Sequence, residues 1–143
     1  MNVRELLQSK KDAVVTIDVE DTIGAAAHKM SAHNIAALVV MKDNAPVRII
    51  SEKDIVRSLA DDGPQAGRRV IATLPSAGLE GITPDATLKQ AMALMTYSRH
   101  RHLMVTEGST LVGILSLGDI VKSLLSELEL EKAVLQDIYL AAH

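Results

Sequence analysis

The spacing of apolar and polar positions divides the chain into short helices and strands that come round twice. Val3, Leu6 and Leu7 share one face of a helix over residues 2–8, and Lys10-Lys11-Asp12 follow as a polar turn. Residues 13–17 are short and β-branched and predict a strand. Thr22 caps a helix over 23–33, with Ile23, Ala26, Ala27 and Met30 at helical spacing. Strands follow at 36–41 and 47–50, separated by the turn residues Lys42-Asp43-Asn44-Ala45. The second of these runs into a helix over 51–60, which Asp61-Asp62-Gly63-Pro64 stops, and a linker extends to about Gly67. Residues 68–74 predict a short helix or turn before Pro75. The order then repeats. A strand at 79–82 precedes a helix opened by the capping box Thr87-Leu88-Lys89-Gln90, with Leu88, Ala91, Met92 and Met95 inward. Strands at 103–105 and 111–115 lead to a final helix from Ser116.

The repeat is the strongest signal. A shift of 65 positions aligns residues 16–59 with 81–124 without a gap. Ile17 meets Ile82, Thr22 meets Thr87, Met30 meets Met95, and Ser51, Asp54, Ile55 and Val56 meet Ser116, Asp119, Ile120 and Val121. One such unit has too little apolar sheet face to be stable alone, and two can bury their sheets against each other. The predicted fold is therefore α/β: two β-α-β-β-α repeats packed sheet to sheet around a pseudo-twofold axis. The first repeat takes residues 1–65 with the short N-terminal helix flanking it, and the second takes 66–143 with an extended C-terminal helix.

Each repeat places a Ser at a strand-to-helix junction with an Asp three residues on. The plain reading is a helix cap, in which Ser satisfies an orphan N–H and the Asp charge suits the helix N-terminus. The functional reading is an anion or ribose site, because the carboxylate can accept from both hydroxyls of a diol. The two readings are compatible.

Composition narrows the rest. The 143 residues contain no Cys, Trp or Phe, and Tyr97 and Tyr139 are the two tyrosines, so the core is aliphatic and disulfide or thiol chemistry is excluded. A net charge of −3 gives no global field for nucleic acid or anionic membrane. No secretion signal and no span of ~20 apolar residues is present, so the expected location is cytoplasmic.

The run Gly113-Ile114-Leu115-Ser116-Leu117-Gly118-Asp119, the preceding His102-Leu103-Met104-Val105 and the Thr-capped helix before them resemble the cystathionine β-synthase (CBS) domain. The tandem resembles a CBS pair, or Bateman module, and the resemblance covers nearly the whole chain, leaving no catalytic domain. Met104 stands where the family usually has Pro. In the first copy Arg48 replaces the signature glycine, and Ala37-Leu38-Val39-Val40 lacks the histidine. The resemblance implies a regulatory sensor that binds AMP, ADP, ATP or a related adenosyl ligand between the repeats and signals to a partner protein. It implies no enzyme activity and no catalytic cofactor. It assigns the second cleft Ile82, Thr83, Arg101, His102, Met104, Ser116 and Asp119, and a weaker first cleft Ile17, Asp18, Ala37, Val39, Ser51 and Asp54. Gly113 leaves room beside a ribose where Arg48 puts a long side chain, so the second cleft is expected to be the better site. The alternative is a structural or interaction protein that kept the fold and lost its ligand.

Three other constellations carry less. His100 and His102 share a strand face, and with His28 and His33 suggest a metal site, but spacing supplies no carboxylate ligand. Ser116, Asp119 and His102 lack the elbow and oxyanion loop of a hydrolase. Arg99-His100-Arg101-His102 lacks interleaved aromatics, which favours contact with a nucleotide phosphate over nucleic-acid binding. The terminal helix carries Leu117, Val121, Leu124, Leu128, Leu135 and Ile138 at heptad-like spacing, broken by Glu131. Either it folds back on its own sheet or, as expected here, it meets a partner helix in a homodimer. CBS pairs usually assemble as discs of two, so the resemblance points the same way.

Overall fold

The computed structural model of the chain describes residues 1–10, 13–75 and 81–142. The elements in order are α1 (Val3–Ser9), β1 (Thr16–Asp18), α2 (Ile23–His33), β2 (Ala37–Lys42), β3 (Ala45–Ser51), α3 (Glu52–Asp62), two 3-10 turns (Gly63–Arg68 and Ile71–Thr73), β4 (Gly81–Ile82), α4 (Leu88–Ser98), β5 (His102–Glu107), β6 (Thr110–Ser116) and α5 (Leu117–Ala142). The expected polar turn at residues 10–12 lies partly, and the start of the strand at 79–82 wholly, outside the described residues.

There are two three-stranded sheets, ordered β1-β2-β3 and β4-β5-β6. In each, the first strand is parallel to the second and the second antiparallel to the third. The offset of 65 governs detail as well as order. Thr16 faces Val39 where Gly81 faces Met104, and the register slips between Val40 and Met41 in one sheet and between Val105 and Thr106 in the other. Asn34 (φ 52) and Arg99 (φ 58) both cap their helices in the left-handed region. Asn tolerates that conformation well, whereas Arg adopts it only because the same chain reversal is required there.

Strand alternation divides the core into three layers. In β2, Leu38 and Val40 face the helices with Ile17, Ile23, Met30, Ile50 and Ile71. Leu103, Val105, Leu115 and Ile120 do the same in the second repeat with Leu88 and Met95. The opposite faces meet between the repeats, where Ala37, Val39 and Ile49 pack against Met104. Met104 is thus an inter-sheet core residue, 5% exposed, and an unbranched thioether fills that irregular gap readily.

Two expectations need correction. Helix α1 flanks the second repeat, not the first. Val3 N–H donates to Ala86 O (2.9 Å), Arg4 N–H donates to Pro84 O (2.9 Å), and Val3 and Leu6 sit in the core of the second repeat. The linker, which ends at about Gly67, and the short helix or turn after it are packed parts of the first repeat. Ile23 N–H donates to Arg69 O (2.9 Å), Ile71 N–H donates to Asp21 O (2.9 Å), and Ala66 and Ile71 are buried. The reason is the twofold itself: each repeat is completed by the segment that precedes the other. An apolar helical face announces burial, and leaves open against which sheet.

Helix α5 packs on the core of its own repeat through Leu117, Ile120 and Leu124 and leaves it beyond that point. Ile120 is buried, but residues 125–142 are all exposed, including Leu125 (54%), Leu128 (60%) and Ile138 (60%).

Candidate functional site

Both signature junctions form as caps. Ser51 N–H donates to Asp54 Oδ2 (2.8 Å), and Ser116 N–H donates to Asp119 Oδ2 (3.0 Å). Both are capping boxes, and in the second repeat Asp119 N–H donates back to Ser116 Oγ (3.0 Å). Ladder pairing of His102 with Ser116 and of Ala37 with Ser51 sets each junction beside the start of the neighbouring strand.

The carboxylates differ in what covers them. Asp54 lies under Arg48, whose guanidinium is 3.5 Å from Asp54 Oδ1. That side chain is 11% exposed and also donates to Ile49 O (3.1 Å) and Pro75 O (2.8 Å), so three acceptors hold it down. Asp119 borrows its cation from far along the chain. Lys10 Nζ donates to Asp119 Oδ2 (2.8 Å) and to Ile114 O (3.3 Å), and both side chains are about a quarter exposed. Helix α1 delivers Lys10, and Leu7 seats that helix. A methyl added at Gly113 would stand 3.1 Å from Leu7 Cδ1 and Cδ2. The room expected beside Gly113 is therefore occupied by Leu7.

Asp119 opens on a cleft of about 650 Å3 between the repeats. From the second repeat it is lined by His102, Val112, Gly113, Ile114, Ser116 and Asp119, and from the first by residues 13–15 and 33–37, with Leu7 and Lys10 closing one side. Burial would raise the Asp119 carboxyl, but hydrogen bonds from Lys10 and Ser116 outweigh it and hold the group below the ordinary carboxylate value. Burial pushes the His102 imidazole down, and the Lys10 charge adds to that, so the ring is neutral at pH 7.

The structure gathers the sequence-predicted residues differently from the two sets. His102, Ser116 and Asp119 share the cleft, and Ala37, assigned to the other set, joins them. Met104 and Val39 lie in the inter-sheet core, and Ile17 in the first helix-facing core. Ile82 packs against the second core and Thr83 is exposed beside it. Asp18 is exposed at the end of β1, where its Oδ1 accepts from Glu20 N–H (2.9 Å). Arg101 lines an adjoining depression of about 780 Å3, which shares Ala36, His102 and Ser116 with the cleft and runs along α5 past Val121 to Glu129. Ser51 and Asp54 are half-buried under Arg48. Sequence reasoning missed Lys10, Leu7, Val14 and Val15. The pairing of the Lys10 region with Asp119 crosses the repeat boundary and leaves no local signal. Among the described residues no group of three metal-ligating side chains converges. No described helix is long and apolar enough to cross a membrane.

Comparison with known proteins bears on the family and the fold. The CBS-domain family profile matches residues 3–61 and 71–126. The mitochondrial CBS domain-containing protein CBSX3 of Arabidopsis thaliana is 32% identical over 113 residues, 76% of this chain and 55% of that protein. The chain thus spans about half the length of that relative. The CBS-domain containing protein ATU1752 of Agrobacterium tumefaciens is similar in structure at a TM-score of 0.80 and 34% identity, covering 86% of this chain and 98% of that one. A hexameric CBS-CP12 protein from bloom-forming cyanobacteria matches at a TM-score of 0.73 and 25% identity, covering 85% and 66%. The chain belongs to the CBS-domain family and is a tandem pair of CBS repeats joined sheet to sheet.

Proposed function

We propose that the chain is a regulatory module that binds one adenosyl ligand, such as AMP, ADP or ATP, in the cleft at Asp119 and signals its occupancy to a partner protein. The observation that carries this reading is the position of Asp119 and Ser116 on an open inter-repeat cleft of about 650 Å3, a volume ordinary for small-molecule sites. The carboxylate, held ionised by its surroundings, accepts the ribose hydroxyls, and the Ser116 hydroxyl assists. Backbone groups of the first repeat around Val14, Val15 and Ala37 frame the base. The ligand is a signal and not a substrate, so no catalytic role is assigned to any residue. Binding shifts the relative weight of two arrangements of the repeats, and only a ligand with different affinities for the two can do so.

The exposed apolar face of α5 adds self-association to this reading. Val121, Leu125, Leu128, Leu135 and Ile138 are each more than 40% exposed, a run suited to a second copy of the same helix. The hexameric relative supports assembly in this family. Light scattering should report a dimer at micromolar concentration, weakened by truncation after Leu125. A monomer would refute the association.

Thermal shift with adenine nucleotides tests the ligand. Millimolar AMP or ATP should raise the melting point of the unmodified chain and not that of Asp119→Ala. No shift with any adenosyl ligand would leave the pair as a structural or interaction module.

A further inference from the structure

Past Leu124, helix α5 runs on for about five turns with every described residue exposed. We propose that this stretch is one strand of a two-stranded parallel coiled coil, the other strand being the α5 of a second copy of the chain; the proposal rests on the self-association read above and fixes its geometry. Leu128, Leu135 and Ala142 fall at the first position of successive heptads, and Glu131 and Ile138 at the fourth, so these residues form the seam. The positions that flank a seam decide which way the partner helix runs. Glu127 and Val134 lie on one flank, and Lys132 and Tyr139 on the other.

In a parallel pair, each residue of the first flank meets the residue five positions on in the partner's second flank. Glu127 then meets the partner's Lys132, and Val134 meets the partner's Tyr139. Charge meets opposite charge, apolar surface meets apolar surface, and twofold symmetry repeats both matches. Among the described residues, neither Glu127 nor Lys132 is ion-paired within its own chain, so both charges are available. An antiparallel pair sets each flank against itself. In the register that overlaps residues 124–142 end to end, Lys132 approaches the partner's Lys132, and Glu127 loses its cation.

Glu131 sets the number of strands. At the fourth heptad position its side chain packs beside the partner's Lys132, and in a two-stranded seam the carboxylate reaches that ammonium at the wet edge. A three- or four-stranded bundle would close as many carboxylates into a dry centre, where their desolvation is costly. The single acid therefore lowers the affinity of the pair and selects it over larger bundles.

The chain has no cysteine, so single cysteines report the order of the helices cleanly. Ile138→Cys should give a covalent dimer under mild oxidation, because fourth-position residues face each other in a parallel pair within disulfide reach. In the antiparallel register Ile138 faces the partner's Leu128, and the product would be the mixed disulfide of Leu128→Cys with Ile138→Cys. Sedimentation equilibrium on the full chain reads the contribution of each flank. Lys132→Glu should weaken the dimer by about fivefold or more, and Glu127→Lys combined with Lys132→Glu should recover most of that loss. Glu131→Leu should tighten association by about tenfold or more. The mixed disulfide in place of the Ile138→Cys dimer, a double variant no tighter than Lys132→Glu, or an intact assembly of more than two copies overturns the proposal and leaves self-association standing. A chain that stays monomeric at micromolar concentration overturns both.

Discussion

Asp54 and Asp119 stand at the same place in two copies of one scaffold, yet they are not the same site. Each caps a helix, each takes the N–H of a Ser three residues back, and each is partly buried beside a cation. The cation makes the difference. Arg48 comes from the strand leading into the junction and is pinned at three points, so it is part of the wall. Lys10 comes from a helix at the other end of the chain and is held by a carboxylate and one carbonyl. Two matched positions of one repeated topology are therefore covered differently, and Gly113 admits Leu7 and with it the arm that delivers Lys10.

If the scaffolds are equivalent, equal damage should cost equal stability. Leu38 and Leu103 are matched core residues with 0% and 1% exposure. Leu38→Ala and Leu103→Ala should each cost about 2–5 kcal/mol in urea denaturation, and similar amounts. Costs that differ by more than the spread of the method would break the equivalence on which the comparison stands.

The second test makes the first site resemble the other. Arg48→Gly removes a guanidinium that bonds to two carbonyls and lies against Asp54, and should destabilise by about 1–3 kcal/mol. It should also expose the Asp54 carboxylate. A neutral outcome would mean that Arg48 merely rests on the surface.

A smaller effect is expected at the matching position. Gly113→Ala puts a methyl 3.1 Å from both Leu7 methyls, so the Leu7 side chain has to give by a few tenths of an ångström and its hold on α1 loosens. The expected cost is about 1 kcal/mol, read by urea titration, with faster hydrogen exchange in α1 and little change in α2. Unchanged exchange in α1 would show that Leu7 does not seat the helix.

The repeat, both caps and nearly every element were legible in the sequence, because apolar periodicity and turn chemistry are local signals and here each occurs twice. The Thr22 and Thr87 helices run 23–33 and 88–98 as their caps predict. What could not be read was which repeat α1 completes and what Lys10 touches. Val3, Leu6 and Leu7 declare a buried face without naming its partner, and Lys10 sits in what reads as a solvated polar turn. The segment from Gly63 to Gly67 misled for the opposite reason. Its Gly and Pro residues are loop chemistry, yet Ala66 is buried.

The smallest expected effect is acid sensitivity confined to the second repeat. His102 has its counterpart in Ala37, which does not titrate. The folded His102 pKa is lowered by burial and by Lys10, so the unfolded chain takes the proton first. Its contribution to stability is full above about pH 6.5 and is lost as pH falls towards the lowered folded value. The Asp119 carboxyl, also lowered on balance, follows the same sign in a lower window. Its contribution is full above about pH 4 and is lost as pH falls through the folded value. Denaturation midpoints should therefore drop slightly below pH 6.5, and His102→Gln should remove that first step. A midpoint independent of pH from 7 to 5 would contradict it.

The central claim is that one of the two positions takes a ligand, and stoichiometry by isothermal titration calorimetry with AMP tests it most directly. The account predicts one nucleotide per chain. Binding should survive Asp54→Ala within about threefold and weaken by about one to two decades in Asp119→Ala, equivalent to roughly 1.5–3 kcal/mol for an unpaired diol. Two nucleotides per chain, or a larger loss from Asp54→Ala than from Asp119→Ala, would contradict it.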